Sequence, residues 1–578
     1  NRDLTITNDT APTVAATAAI RLIGRTTLGL GATNNSIMNC IIIGNTPGND
    51  GFSGSTVANS YAIYAGGNAA NLTTGGIGDN YDNLVIQNNE VKRAFFGIYV
   101  GGTTVGIADN VLISNNTVGS NNPGENLSFK GILLNNAATS TVSINEVFNM
   151  KVMTANNIAG IEIAGTSSSS VTVSRNKVFG LWSTSATGYG AYGISLIGGN
   201  NHLCVNNVIY DIVTTNYSAT STTWNAFGIR ITSGTGHKLY YNSINIYGNY
   251  TSASTTAASA ALLITSTAVT GLDIRNNIFA NKMTSVAATK KFHALWFPAA
   301  YNFLNAILNN NAYMVSNDAD HFVGKIGTTT GTGEYATLNT WQAISQVNNI
   351  TNDMNSVPPV NSPAPFVADN NLNIPVNSVT PIESGAVLIA SLGTNIDYNA
   401  AVRPLAGVNP NTNPDMGAYE FDGLAGVATD AGIQTLVSPA MNGCYGASEN
   451  LVVTIKNYGT ASISNIPVTV IVSGAATQTS NATYAGTITA GATVNFTVAT
   501  LNMLTAGVYT INAFTSLAGD LNLPNDAMGQ TTRTVIAPVA LPQTVSFTGF
   551  TGANLPTMFP NWFEANTAIV PTGTTSLW

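Results

Sequence analysis

The chain has 578 residues, of which only 8% are charged, with a net charge of −8 spread thinly along it. A typical soluble domain carries about 25% charged residues; here Asn, Thr, Ser, Gly and Ala take their place, a composition suited to polar ladders and tight turns in a secreted protein rather than to a cytosolic enzyme. The absence of any basic run excludes nucleic acid as a partner, no apolar stretch reaches the ~20 residues of a membrane span, and a patterned apolar fraction of 44% excludes disorder.

From the first residues to Asn311 two short phrases alternate at a period of roughly 30 residues, the mark of a stacked-repeat architecture. One is an apolar alternation closed by Asn and another apolar residue: VIQNNEV (85–91), LISNNTV (112–118), VSINEV (142–147), VTVSRNKV (171–178), LYYNSI (239–244) and LDIRNNI (272–278). The other is a small residue followed by apolar–any–apolar: FGIYVGG (96–102), KGILL (130–134), AGIEIAG (159–165), YGISLIGG (192–199) and FGIRITSG (227–234). Both have the period of two that belongs to strands. Two short strands per turn, stacked in register, predict a parallel β-helix, and parallel connections are right-handed by strong preference.

Alignment of the phrases puts one asparagine in each turn: Asn39, Asn89, Asn116, Asn145, Asn176, Asn207, Asn242, Asn277 and Asn311. Stacked amides can hydrogen-bond up such a column, and Asn tolerates the left-handed backbone of a sharp corner, so the column reads as structural. Ile98, Ile132, Ile161, Ile194 and Ile229 are expected to stack inside the coil. Cys40 and Cys204 lie about five turns apart, ~24 Å at ~4.8 Å per stacked strand, beyond disulfide reach; with Cys444 they make no disulfide framework. LTITND (4–9) already reads like the asparagine phrase and no targeting segment precedes it, so residues 1–578 are read as a window of a longer, processed polypeptide.

After Asn311 the pattern changes. EYATLNTWQAISQVNNITNDMNS (334–356) carries the first helical spacing, a Pro-rich stretch follows, and the segment ends in NIDYNAAVRPLAGVNPNTNPDMGAYEF (395–421). The Leu–x–x–Trp–Gln phrase, with Asp397, Arg403, Asp415, Gly417, Ala418, Tyr419 and Glu420, resembles the C-terminal part of secreted bacterial right-handed β-helix surface proteins of the pectate-lyase-like superfold. The resemblance implies a β-helix over 1–422 whose residues 334–422 cap the coil, with Arg403 paired to Asp397 or Asp415.

Alternating strands from about Val427, among them ENLVVTIKNYG, IPVTVIVSG and GVYTINAFTSL, predict an antiparallel sandwich of about seven strands over 427–537. LVVTIKNYGTASISNIPVTV is similar to Ig-like, adhesion-type modules of Bacteroidetes surface proteins. TVSFTGFTGANLPTMFPNWF, within 540–578, looks like the start of a jelly-roll carbohydrate-binding-like domain. Modules in this order resemble substrates of the type IX secretion route, which implies the outside of a Gram-negative cell. The fold class is therefore all-β throughout.

Chemistry on this scaffold would need carboxylates converging outside adjacent turns. The outward column of the glycine phrase, Arg21, Tyr64, Tyr99, Leu133, Glu162, Ser195, Arg230, Leu263 and Trp296, holds one carboxylate. Glu90 and Glu146, two turns and about 10 Å apart, approach the separation of an inverting glycosidase, but solvated surface charge is the plainer reading. Asp318, Asp320 and His321 form the densest acid–histidine cluster, and Asp520, Asn525 and Asp526 could hold calcium, the only cofactor suggested; polar loop and turn roles compete with both. His237 in GTGHKL reads as structure. Tyr64, Tyr99 and Trp296 on one face, with Trp182, Tyr189, Tyr192, Tyr217 and Trp224 near the loops, could stack on sugar rings, or simply shield strand edges. The expectation is a non-enzymatic, rigid surface or adhesion stalk that grips polysaccharide or another cell surface; the alternative is a polysaccharide lyase or glycoside hydrolase in the groove of the coil.

Overall fold

A computed structural model describes residues 2–537 apart from 9–16, 25–30, 46–59, 68–71, 73–79, 153–155, 185–188, 215–223, 251–255, 317, 329–331, 359–365, 377, 405–412, 426–428, 442–444, 460 and 521–524. Cys444, Tyr217 and the jelly-roll-like segment 540–578 lie outside the described residues. The chain forms two units, one essentially Asn1–Asp430 and one beginning at Ala431.

The first unit is a parallel β-solenoid whose turns contribute to three sheets, one of ten strands, one of nine, and one of eleven that ends in a short antiparallel strand. The expectation of two strands per turn is corrected to three. The asparagine phrase bends in its middle, so that Val85–Gln87 lies in one sheet and Glu90–Lys92 in the next.

The bend explains the asparagines. The residue before each ladder Asn takes the left-handed backbone, as at Asn88 (φ 56°), Asn115 (54°), Asn206 (54°) and Asn276 (64°). The ladder Asn itself turns its amide inward. From Asn116 to Asn311 each Oδ1 accepts both the backbone N–H and the Nδ2–H of the Asn one turn earlier, at 2.9–3.1 Å. Asn39 is not on this ladder: it is the left-handed residue of its turn (φ 59°), and Cys40 occupies the ladder place, donating its N–H to Asn89 Oδ1 at 3.0 Å.

Inside, like residues stack on like. Ile63, Ile98, Ile132, Ile161, Ile194 and Ile229 form one column in strict register, and Val91, Val118, Val147, Val178, Ile209 and Ile244 form another, all essentially inaccessible. Each such side chain contributes about 1.5–3 kcal/mol of burial. The glycines between columns are forced by close approach: a Cβ on Gly131 would run into Val147 and the carbonyl of Gly160. Cys40 and Cys204 are buried free thiols, and burial pushes the Cys204 thiol up to about 12.

The segment expected to cap the coil divides in two. The helix α1, Leu338–Ser345, capped by Thr337 through a capping box with Thr340, closes the end. Its Trp341 is fully buried against Phe297 and Phe303 and donates Nε1–H to the buried Asp353 at 2.9 Å. Residues 366–376, 378–404 and 413–421 lie along the flank as a strap, held by the corner residues of the coil. Asn206 Nδ2 donates to Ile396 O (2.7 Å), Asn276 Nδ2 to Val387 O (2.7 Å), Asn310 Nδ2 to Gly385 O (2.9 Å) and Arg175 Nε to Tyr398 O (2.8 Å).

The second unit has two antiparallel sheets. Ala431–Ser438, Glu449–Asn457 and Thr493–Leu501 form one; Gln478–Ile488, Ile463–Gly474, Gly507–Thr515 and Thr531–Val535 form the other. Alternate residues such as Leu451, Val453, Ile455 and Val468, Val470, Val472 are buried, the pattern of sheets with one covered face.

Candidate functional site

Where the strap passes over the coil it leaves a cavity of about 340 Å³ lined by Lys177, Val208, Tyr210, Asn370–Asn373 and Tyr419. Its floor follows from sheet register. Phe148, Phe179 and Tyr210 occupy one outward column on three consecutive turns, so their rings stack at 5.3 and 4.9 Å, 12° from parallel in each pair. One turn further the column carries Asn245, whose Nδ2 donates to Asp369 O at 3.0 Å where the strap crosses.

The wall is the strap. Leu372 is buried, packed in one cluster with Val208, Tyr210 and Ala418, and the Lys282–Asp369 ion pair, at 2.6 Å, pins the loop. Tyr398 and Tyr419 pack at 5.1 Å. On the rim, Lys177 Nζ lies 3.4 Å from Glu146 Oε1 and 4.9 Å from the centre of the Phe179 ring. Burial pushes the Tyr210 phenol well up, with the charges of Glu146 and Asp211 adding to it; burial does the same to Tyr419. Both phenols stay protonated as hydrogen-bond donors. The groove thus offers the Tyr210 and Tyr419 side chains with neutral hydroxyls and the amides of Asn370, Asn371 and Asn373, with its rim charges already paired.

Register places Glu90, Thr117 and Glu146 on successive turns, as the spacing implied. Each carboxylate is engaged by a cation: Glu90 by Lys92 at 2.9 Å and Glu146 by Lys177. Arg2 Nη2 donates to Thr117 Oγ1 between them, at 3.1 Å.

Three aromatic candidates are corrected. Tyr64 and Tyr99 stack on each other at 5.2 Å within a cluster with Tyr61 and Phe96, and both are inaccessible. Trp296 is equally buried, its Nε1 donating to Gly327 O at 2.7 Å beneath the Lys325 ammonium. These side chains do leave the coil, but the outer face of their sheet is covered, so no sugar face reaches them. Trp182 and Trp224 keep 41% and 40% of their surface, Trp182 with its indole N–H on Asp211 Oδ1 at 3.2 Å.

The acidic candidates serve the chain itself. Asp318 Oδ1 accepts from His321 Nδ1 at 2.8 Å, and Asp320 faces Lys290 at 3.6 Å. Burial opposes ionisation of Asp318, but the bonds from His321 and the Asp320 N–H outweigh it and hold the carboxyl below its usual range. In the second unit Asp520 Oδ2 accepts the Ala431 N–H at 2.8 Å and Asp526 Oδ1 accepts from Thr515 Oγ1 at 3.3 Å. Among the described residues, no three His, Cys, Asp or Glu side chains are grouped to hold a metal.

Arg403 pairs with neither expected aspartate. Its Nη1 meets Glu420 Oε1 at 2.5 Å, both side chains fully buried, and it donates to the backbone oxygens of Asp415 and Gly417. His237 is not alone either. It stacks on His202 at 5.1 Å one turn away, and its Nδ1 accepts the His202 N–H at 3.3 Å. The signal was present in the parallel phrases GNNH (199–202) and GTGH (234–237).

No family model and no curated protein matches the chain. Among solved structures it is similar to XylC in complex with xylose, at 11% identity and a TM-score of 0.25 over 77% of this chain and 64% of that one. It is also similar to the Pseudomonas phage phi297 tailspike gp61, at 12% identity and a TM-score of 0.23 over 76% and 63%. The chain spans less than two thirds of the length of either.

Proposed function

We propose that this chain is a non-enzymatic glycan-gripping stalk of a secreted or cell-surface protein, with the solenoid as its rigid shaft and the groove beneath the strap as its binding site. The observation that carries the reading is that Tyr210, stacked on Phe179, shares the lining of one cavity with Asn370, Asn371, Asn373 and Tyr419. Ring faces beside neutral donors and acceptors suit uncharged sugars. Glu146, the carboxylate on the rim, already answers Lys177, which favours binding over turnover.

The second unit supports an Ig-like, adhesion-type module: Tyr509 OH donates back to Thr505 O at 2.8 Å, as in the tyrosine corner of such sandwiches. The low charge and the resemblance of 395–421 to secreted β-helix proteins support placement outside a Gram-negative cell, with the type IX machinery as the export partner. A glycan array probed with the full chain and with Tyr210→Ala tests the reading. Binding of neutral glycans that falls at least tenfold in the variant supports it. Release of product from polysaccharide, including polyuronate with calcium, would replace it with the lyase or hydrolase alternative.

A further inference from the structure

The strap that walls the groove is fastened by an unusual set of charges. Glu383, Asp397, Asp415 and Glu420 are all buried at its attachment to the coil, and among them lies one buried cation, Arg403. Arg403 satisfies Glu420 directly, and its guanidinium lies 4.2 Å over the Tyr241 ring of the coil. Asp397 is neutralised by backbone, accepting the N–H groups of Ala401 (2.8 Å) and Glu420 (3.2 Å). Glu383 and Asp415 remain, bridged by Ser384, whose N–H donates to Asp415 Oδ1 at 2.8 Å and whose hydroxyl donates to Glu383 Oε1 at 3.1 Å. Two buried carboxylates bridged by one serine, with the nearest cation already on Glu420, repel each other, and one proton held between them removes that repulsion. With every group ionised, the buried site would carry four negative charges against one positive, a cost the fold avoids by keeping a proton.

We propose that the Glu383–Asp415 pair is a proton-held clasp, closed while the two carboxyls share one proton, whose loss as pH rises releases the strap from the flank of the coil. The clasp stands on its own geometry; the consequence that the groove loses its wall rests on the binding reading above. Asp415 is well placed to act at a distance from the groove. Its Oδ1 accepts the Ser384 N–H and its Oδ2 the Phe421 N–H, both at 2.8 Å, so it joins two separate stretches of strap. Glu383 Oε2 accepts the Gly423 N–H at 2.9 Å beside them. The other charged group beside Glu383 is Asp422 from the strap; from the coil, Tyr241 sits next to Arg403 and Glu420, with Arg275 beyond it already paired with Asp273 at 2.7 Å. Burial, then the charge of Glu420, pushes the Asp415 carboxyl up to about 8 against the pull of its two N–H donors, and burial pushes Glu383 in the same direction. A raised carboxyl keeps its proton below that pH and loses it above, so the strap is most secure on the acid side.

Hydrogen exchange of the full chain between pH 6 and pH 10, corrected for the intrinsic rate, tests this. The reporters are strap amides such as Ala386, Arg403 and Met416, bonded to Pro414 O, Asn395 O and Ile382 O, with amides of the coil ladder as the internal reference. Strap protection is expected to fall by about tenfold per pH unit as pH rises toward about 8, the window in which the docked carboxyl holds its proton and a released one would not, and to level off above it, while the ladder holds. Glu383→Gln supplies an amide N–H where the shared proton lay, so its strap is expected to stay protected through the same range. A wild-type strap that remains protected to pH 10, strap and ladder losing protection together, or a Glu383→Gln strap that follows the wild-type curve would each overturn the clasp. The wild-type profile is decisive even if the variant folds poorly. Glycan binding measured at pH 7 tests the groove separately, so failure of one is not failure of the other.

Discussion

Asn176 donates its Nδ2–H to Asn207 Oδ1 at 3.0 Å, and its own backbone N–H reaches the same oxygen at 3.1 Å. Its Nδ2 also donates to Val142 O on the preceding turn, while its Oδ1 takes two hydrogens from Asn145. One inaccessible amide therefore ties three turns together. Asn176→Ala strands the N–H of Asn145 and the oxygen of Val142 with no water to replace the lost partner, while Asn207 Oδ1 keeps only the backbone N–H of residue 176. Each unsatisfied buried group costs about 1–3 kcal/mol, so the loss is expected to reach about 3 kcal/mol or more. The midpoint of denaturant unfolding checks it.

At the corner before the ladder, most turns place Asn, but one places Ile144 at φ 58°. A β-branched residue pays for left-handed backbone, at about 1–2 kcal/mol, and Ile144 recovers little by burial because it is 44% exposed. Ile144→Asn restores the residue that Asn115 and Asn206 supply in other turns. The expected outcome is a gain of about 1 kcal/mol in unfolding free energy. An unchanged or lower midpoint in the same titration would show that the corner carries no strain at this turn.

Both results bear on what could be read from the chain alone. The inward columns were legible because strand alternation fixes which residues face the core, and Ile98 through Ile229 stack as their phrases imply. The ladder was legible, but its division of labour was not: two adjacent residues share the corner, one bending and one bonding, and where both are Asn, as at 88–89 and 115–116, the letters cannot say which does which. Turns with Ile144–Asn145 and Arg175–Asn176 do resolve the choice. Tyr64, Tyr99 and Trp296 failed as candidates because alternation says only that a side chain leaves the coil, not what lies over it. The strap was hidden for a similar reason. Its anchors are corner amides such as Asn206 and Asn276, more than a hundred residues away in sequence and identical in type to corner residues such as Asn88 and Asn115, which bond each other instead. The groove, made where strap meets coil, could not be seen before the strap was placed.

His202 and His237 give the coil an acid limit. Nδ1 of His202 accepts the Val171 N–H at 3.2 Å, which leaves Nε2 to donate to Gly198 O at 2.9 Å. The ring is therefore neutral, and protonation would turn its acceptor into a donor facing an N–H. Burial, with His237 adding to it against the pull of Gly198, lowers His202 to about 4; burial lowers His237 as well. A histidine depressed in the folded state favours folding above its ordinary value near 6.5 and loses that contribution as pH falls through 4. Stability is expected to be flat above pH 7 and to drop by about 3 kcal/mol on the way to pH 4 from His202 alone. His202→Asn keeps an acceptor for Val171 without a titrating ring. Its unfolding free energy is expected to fall less steeply over the same range, and a parallel acid limb would assign the effect to other groups.

Leu372 tests whether the strap is a separable layer. Its side chain is 2% exposed and packs with Val208, Tyr210 and Ala418 rather than with any inward column of the coil. Leu372→Ala opens a cavity costing about 2–5 kcal/mol, charged entirely to docking of the strap. The ladder from Asn89 to Asn311 and the isoleucine stack lose no contact. Exchange of the strap amides is therefore expected to rise by tenfold or more at pH 7 while coil amides and the main unfolding midpoint stay in place. Glycan binding should weaken with it, because the Asn370–Asn373 wall is held in position by this leucine, by the Asn245 bond to Asp369 O and by the Lys282–Asp369 pair, whose exposed carboxylate contributes only about 0–1 kcal/mol. Equal losses in strap and coil would mean that the two fold as one cooperative body, and that the groove has no wall that moves independently.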